Sequence, residues 1–195
     1  MRFDAIVLAG GSARRLGGAD KAMVDVGGVA LLERVLDAVG AAQRVIVVGP
    51  PRPTVRSVLW ATESPTGGGP VAALAAGLEH VTEPVAVVLA ADLPFIDEET
   101  VVRLLTASDE GLAAHEGLAT DGAILVDEDG CDQPLAGAYE TESLRAALAS
   151  LRDVAGASVR DLVARLTLVR IEASLAARDC DTWEDIDAAR RALRR

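Results

Sequence analysis

Residues 3–11 read FDAIVLAGG, and the fold follows from how this run begins and ends. Between Phe3 and Ala9 the only polar side chain is Asp4. A strand with one wet face alternates apolar and polar residues, so an almost unbroken apolar run predicts a strand covered on both faces, as in parallel sheets flanked by helices. It stops at Gly10-Gly11, which predicts a turn. Similar runs recur at Arg44–Gly49 and Pro84–Ala91, with a weaker one at Ser57–Thr62. Helical patterns lie between them. Val29–Val39 puts Leu31, Leu32, Val35, Leu36 and Val39 on one stripe, and Pro70–Val81 opens with a first-turn proline before an Ala/Leu face. This alternation builds a parallel sheet joined by helical crossovers.

Beyond Asp92 the pattern changes. A helix is predicted over Asp97–Ala107, its acidic start suited to the positive end of the helix dipole. Asp121–Asp127 and Gln133–Glu140 read as two strands joined by the turn Asp127-Glu128-Asp129-Gly130. Short helices at Glu142–Leu151 and Ser158–Leu166, a strand at Leu168–Ile171 and a helix at Thr182–Leu193, capped by Asp181 or Thr182, complete the chain. The expected architecture is a single three-layer α/β Rossmann-like domain over residues 1–195, mainly parallel with a small antiparallel element.

Composition narrows the function. The 195 residues are 50% hydrophobic and carry a net charge of −11, which excludes disorder as the default state and disfavours non-specific nucleic-acid binding. No apolar stretch reaches membrane-spanning length, and the first glycine turn comes too early for a signal peptide, so no membrane partner and a cytoplasmic location are expected. Cys131 and Cys180 match neither a disulfide framework nor a metal-ligand spacing. Of the 19 basic residues only Lys21 is lysine.

Ligands of open α/β sheets bind beyond the carboxyl ends of the strands, where the strand order reverses. Two segments qualify. Leu8 to Lys21 (LAGGSARRLGGADK) is rich in glycine and locally basic, with Arg14, Arg15 and Lys21 against Asp20. Backbone amides of such a loop can approach phosphate oxygens. It lacks the Gly-Lys-Ser/Thr of a Walker loop and the Gly-x-Gly-x-x-Gly of a dinucleotide fingerprint, and phosphate binding and an ordinary βα turn weigh about equally. The second segment, Ala90-Ala91-Asp92-Leu93-Pro94-Phe95, places a carboxylate at the end of the most apolar strand. Asp92 there either caps the next turn or meets a cation.

Together, LAGGSARRLGGADKAMV and AADLPFI resemble the nucleotidyltransferases that transfer nucleoside monophosphates, specifically their molybdenum cofactor guanylyltransferase branch. The loop matches at Leu8, Ala9, Gly10, Gly11, Arg15, Gly17, Asp20 and Lys21, and departs at Ala13, where the family usually has serine. Gly68-Gly69-Pro70-Val71-Ala72-Ala73-Leu74 and Gln133-Pro134-Leu135-Ala136-Gly137-Ala138-Tyr139 are similar to two further family segments, the latter favouring guanylyl over cytidylyl transfer. Gly156–Arg160 resembles a basic turn on the molybdopterin side, and Asp181-Thr182-Trp183-Glu184-Asp185 the closing Asn-Thr-Pro-Glu motif.

The resemblance implies a nucleotide-diphospho-sugar transferase-like fold and transfer of GMP from GTP to the terminal phosphate of molybdopterin, with Mg2+ as cofactor. It assigns Arg15 and Lys21 to the β and γ phosphates, and Leu8, Ala9, Gly10 and Gly11 to backbone contacts with the nucleotide. Asp92 is the first choice of metal ligand; Asp181 is a second ligand or simply a helix cap. Glu63 is either an acceptor for the guanine N1–H and N2–H2 donor pair or a solvated loop residue. His80 and His115 carry no partner signature, and Arg190, Arg191, Arg194 and Arg195 read as a solvated helix end. GTP and molybdopterin are the expected partners, with room for transient contact with other cofactor-biosynthesis proteins. A cytidylyl- or sugar-phosphate nucleotidyltransferase and a non-catalytic nucleotide-binding subunit are the alternatives.

Overall fold

The computed structural model describes residues 1–11, 17–114 and 120–194. The opening run forms β1 (Phe3–Leu8), buried at every position. It pairs in parallel with β4 (Val45–Val48) on one side and β6 (Val85–Ala90) on the other. β5 (Leu59–Ala61) extends the sheet beyond β4, again in parallel. Next to β6 the direction reverses in β8 (Asp132–Glu140), which also pairs antiparallel with β7 (Gly122–Val126); β9 (Leu168–Glu172) lies parallel to β7. The order β5-β4-β1-β6-β8-β7-β9 is thus mainly parallel with one antiparallel strand inserted.

Alternate side chains of each strand feed two cores. Ala5, Val7, Val45 and Val47 meet Leu32, Val35 and Leu36 of α1 (Leu31–Ala38) and Val101, Leu104 and Leu105 of α3 (Glu98–Ala114). Ile6, Ile46, Val48 and Val88 meet α2 (Pro70–Leu78), α4 (Thr141–Ala149) and α5 (Val159–Val163) on the opposite face. Helix α2 approaches the sheet so closely that a Cβ on Gly77 would stand 2.6 Å from Cγ2 of Ile6. Buried Asp4 ties the far edge of the sheet, accepting from the amides of Thr82 (2.8 Å) and Glu83 (3.2 Å).

Several expectations are corrected. Val29 and Ala30 do not begin α1; they form β3 (Val29–Ala30), which pairs antiparallel with β2 (Asp25–Val26) across the Gly27-Gly28 turn. Helix α3 runs on to Ala114, well past Ala107, and α5 ends at Val163. Arg190 of α6 (Trp183–Ala192) is not a solvated terminal charge: its guanidinium donates to the Asp25 carbonyl at 2.8 and 3.0 Å, tying α6 to β2. A third core of Val24, Val26, Leu31, Cys180, Ile186 and Ala189 seals this contact. Among the described residues no helix is long and apolar enough to cross a membrane.

Candidate active site

Strands β1, β4, β5 and β6 all end at one edge of the sheet, and β1 and β6 are neighbours. The chain leaves β1 toward β4 on one side, while β6 lies on the other, so the crevice between them is the reversal point at which ligands bind in such sheets. At the end of β1 the Ala9 amide donates to the Val48 carbonyl (2.9 Å) and the Leu8 carbonyl accepts from the Ala91 amide (3.0 Å). The side chains of Leu8 and Ala9 are buried in the two cores, and exposed chain begins at Gly10 and Gly11. The loop after β4 presses close here. Gly49 has φ +149°, and a Cβ on it would lie 2.8 Å from the Ala9 carbonyl oxygen, so glycine lets this turn pack against the end of β1.

Ser12, Ala13, Arg14 and Arg15, as well as His115 and Arg195, lie outside the described residues, and the phosphate role expected of Arg15 falls among them. Beyond them Lys21 begins a single 3-10 turn, Lys21–Met23, held by the Met23 amide on the Asp20 carbonyl (3.0 Å) and the Val24 amide on the Lys21 carbonyl (3.1 Å). Asp20 pairs with Arg52 at 2.7 Å, which links the loops after β1 and β4 and removes Asp20 as a neutralising partner of Lys21.

Lys21 turns instead to two aspartates distant in sequence. Its Nζ donates to Oδ2 of Asp92 and, at 2.7 Å, to Oδ1 of Asp181. Burial of the ammonium works to lower its pKa, but the charges of Asp92 and Asp181 and their hydrogen bonds outweigh this and hold it above the ordinary lysine value. Asp92 stands at the end of β6. Asp181 reaches it because the Cys180 amide donates to the Asp92 carbonyl (3.1 Å), while the Cys180 side chain is buried in the third core. Burial and the nearby Asp185 carboxylate push the Cys180 thiol up to about 12, so it stays neutral and acts as an anchor. The cap of α6 is Thr182, not Asp181. Its hydroxyl accepts from the Asp185 amide, and the Asp185 carboxylate accepts in return from the Thr182 amide at 2.8 Å, a complete capping box.

A third carboxylate belongs to the same group, and sequence reasoning missed it. Asp179, Asp92 and Asp181 each offer an oxygen, and the three lie within 4.8 Å of one another. Partial burial together with the charges of Asp92 and Asp181 raises the Asp179 pKa. The available signal was the Asp179-Cys180-Asp181 pattern, two acids flanking an apolar residue whose burial turns both outward. A hard divalent cation fits this donor set, which consists of carboxylate oxygens alone. It also fits Asp92 Oδ1, a buried oxygen with no hydrogen-bond partner among the described residues, an arrangement costly without a cation.

Two other elements reach the same edge. Glu63, just after β5, accepts the Gly67 amide at 2.8 Å and so closes the loop leading to Gly69, the residue before α2. The Gly68 carbonyl in that loop accepts from the Gly156 amide at 2.7 Å, bringing the turn before α5 against it. A groove of about 520 Å3 lies between α5, β8 and β9, lined in part by Gly130, Cys131, Pro134, Arg160 and Arg170. Arg170 is already paired with Asp132 at 2.7 Å. Tyr139 is fully buried and donates to the Pro134 carbonyl at 2.6 Å, so its ring is part of the core beneath the sheet. His80 follows the far end of α2, away from the loop that closes on Glu63.

Parallel strands ending at a glycine loop, with a lysine and three carboxylates across the reversal point, suit the binding of a nucleotide's phosphates together with a divalent cation. Solved structures share the whole fold. A 2-C-methyl-D-erythritol 4-phosphate cytidylyltransferase from Thermus thermophilus superposes with a TM-score of 0.70 at 23% identity, covering 100% of both chains. The molybdopterin-guanine dinucleotide biosynthesis protein A from Archaeoglobus fulgidus gives 0.69 at 22% identity over 98% of each chain. At the sequence level, a probable molybdenum cofactor guanylyltransferase from Natronomonas pharaonis is 31% identical over 96% of both chains. A molybdenum cofactor guanylyltransferase from Shewanella sp. strain ANA-3 is 31% identical over 63% of this chain and 64% of its own. Residues 5–171 match the MobA-like NTP transferase domain, and the chain belongs to that family of nucleotidyltransferases.

Proposed function

We propose that the enzyme transfers GMP from GTP to the terminal phosphate of molybdopterin, releasing pyrophosphate and forming a guanine dinucleotide cofactor. The observation that carries this reading is the meeting of Lys21 with Asp92 and Asp181 at the end of β1 and β6. A phosphate oxygen of the acceptor forms a bond to the α-phosphorus of GTP as the bond from that phosphorus to the β-phosphate oxygen breaks. No covalent enzyme intermediate is needed, so the protein's work is positioning and charge stabilisation. Asp92 and Asp181, with Asp179 beside them, would hold Mg2+, which neutralises phosphate charge when bound. Lys21 is a compact charge on a flexible stem, suited to follow the departing pyrophosphate. Gly10 and Gly11 bring backbone close to the nucleotide, and Glu63 is the candidate acceptor for the guanine donor pair. Arg160, in the groove beside α5, offers a cation to the acceptor phosphate. The names of the relatives from Natronomonas and Shewanella support guanylyl transfer over cytidylyl transfer.

A pyrophosphate-release assay with each of the four nucleotides, with and without molybdopterin, tests the reading. Release with GTP only when molybdopterin is present is expected. Release with CTP in place of GTP would assign a different transfer. GTP binding without release would mark a nucleotide-binding subunit.

A further inference from the structure

Two of the three carboxylates of the site already hold a cation, on oxygens adjacent to Oδ1 of Asp92, which is unpartnered among the described residues. Lys21 Nζ is hydrogen bonded to Asp92 and Asp181, two of the three carboxylates that together fit a divalent metal. A divalent ion on the remaining oxygens of the same carboxylates would stand a few ångströms from the ammonium, and the repulsion between the two positive charges favours departure of whichever is less firmly held. The backbone that carries Asp92 and Asp181 is held, and their side chains are short. Asp92 is fixed at the end of β6, and its carbonyl is bound by the amide of Cys180, whose side chain is buried in the third core; Asp181 is continuous with the capped start of α6. The lysine backbone is also held in its turn, but its four-methylene stem can swing. The mobile partner is therefore the ammonium group.

We propose that Lys21 is an exchangeable counter-ion of the Asp92–Asp179–Asp181 cage. A divalent cation enters by displacing the ammonium, and the displaced ammonium finds its new partner in the polyphosphate of the nucleotide. Metal alone then binds weakly, because it must break the lysine's two charge-assisted hydrogen bonds with nothing to replace them. Metal and nucleoside triphosphate together bind well, because the phosphates take up the released charge. The second half of this mechanism rests on the nucleotidyl-transfer reading; the first half rests only on the cage.

Because Lys21 is the only lysine of the chain, 13C labelling at lysine Cε yields one side-chain signal. Titration of the wild-type protein with MgCl2 alone should shift that signal saturably. A signal unmoved at magnesium concentrations that displace bound Mn2+ would overturn the proposal. In parallel, Mn2+ binding without nucleotide is measured by electron paramagnetic resonance for the wild type and Lys21→Met. Removing the competitor should tighten Mn2+ binding by about tenfold, equivalent to about 1.4 kcal/mol. Unchanged or weaker binding contradicts it. A non-hydrolysable GTP analogue should then tighten Mn2+ binding more in the wild type than in the variant, and equal tightening would refute the coupling. The lysine signal is read on the wild-type chain, so the test stands whether or not the variant folds. Failure of guanylyl transfer with these results intact would remove the functional reading and leave the exchange standing.

Discussion

Asp179→Asn should make the protein more stable at neutral pH while weakening its cation site. The Asp179 carboxylate lies within 4.8 Å of oxygens of both Asp92 and Asp181, with Lys21 as the opposing charge. Two unit charges at that separation interact by about 3.5 kcal/mol at an effective dielectric of about 20. Of the two repulsions, one is roughly offset by the Lys21 attraction. Solvent at this exposed position screens most of what remains, which leaves about 0.5–1 kcal/mol. For a chain of this size that is about 1–4 °C in melting temperature.

The pH dependence has a definite sign. The folded-state pKa of Asp179 is raised above 3.8, so between 3.8 and the folded value the native protein holds a proton that the unfolded chain has lost. Wild-type stability falls through that window as pH rises. The advantage of the asparagine variant is therefore absent below the window and complete above it. Thermal unfolding followed by circular dichroism from pH 3 to pH 8, with chelator present, reads this directly. A variant less stable than wild type at neutral pH, or an advantage undiminished in acid, would rule out repulsion at Asp179 as a cost to the fold.

Other perturbations have equally specific outcomes. Lys21→Arg should lower kcat by about 10- to 100-fold, because a planar guanidinium cannot follow the leaving group as an ammonium does; steady-state kinetics showing full activity would make the lone lysine an accident of composition. Glu63→Gln retains a carbonyl acceptor for the Gly67 amide but loses the charge offered to guanine, so the Kd for GTP should rise roughly tenfold or more in calorimetry, with no change in Mn2+ binding. Gly77→Val would drive a side chain into Ile6 and Val48, costing at least about 1–3 kcal/mol by denaturant unfolding.

Much of this is legible in residues 3–11 and 84–92, because parallel strands buried on both faces leave a continuous apolar signature and their carboxyl ends mark the ligand crevice. The pairing of β1 with β6 follows the winding order expected of that pattern and brings Lys21 to Asp92. Asp179 is not legible in the same way. An aspartate shortly before a helix reads as a cap, and only the burial of Cys180 turns its two neighbours outward together. Similarly, the β2–β3 ribbon is too short to show period-two alternation. Its Gly27-Gly28 pair is a known two-residue hairpin signal, but Val29 and Ala30 fit the apolar rhythm of α1 equally well. Arg190 reads as a solvated charge because its acceptor, the Asp25 carbonyl, is 165 residues away in sequence.

GTP labelled at the α-phosphate follows the proposed guanylyl transfer by the cluster at the end of β1 and β6 to its product. Incubated with molybdopterin and the wild-type enzyme, the label should appear in the dinucleotide product, and Asp92→Ala should reduce that incorporation by about 100-fold or more. Label that stays in GTP or leaves as free GMP with the wild type, or incorporation that survives the loss of Asp92, would contradict it.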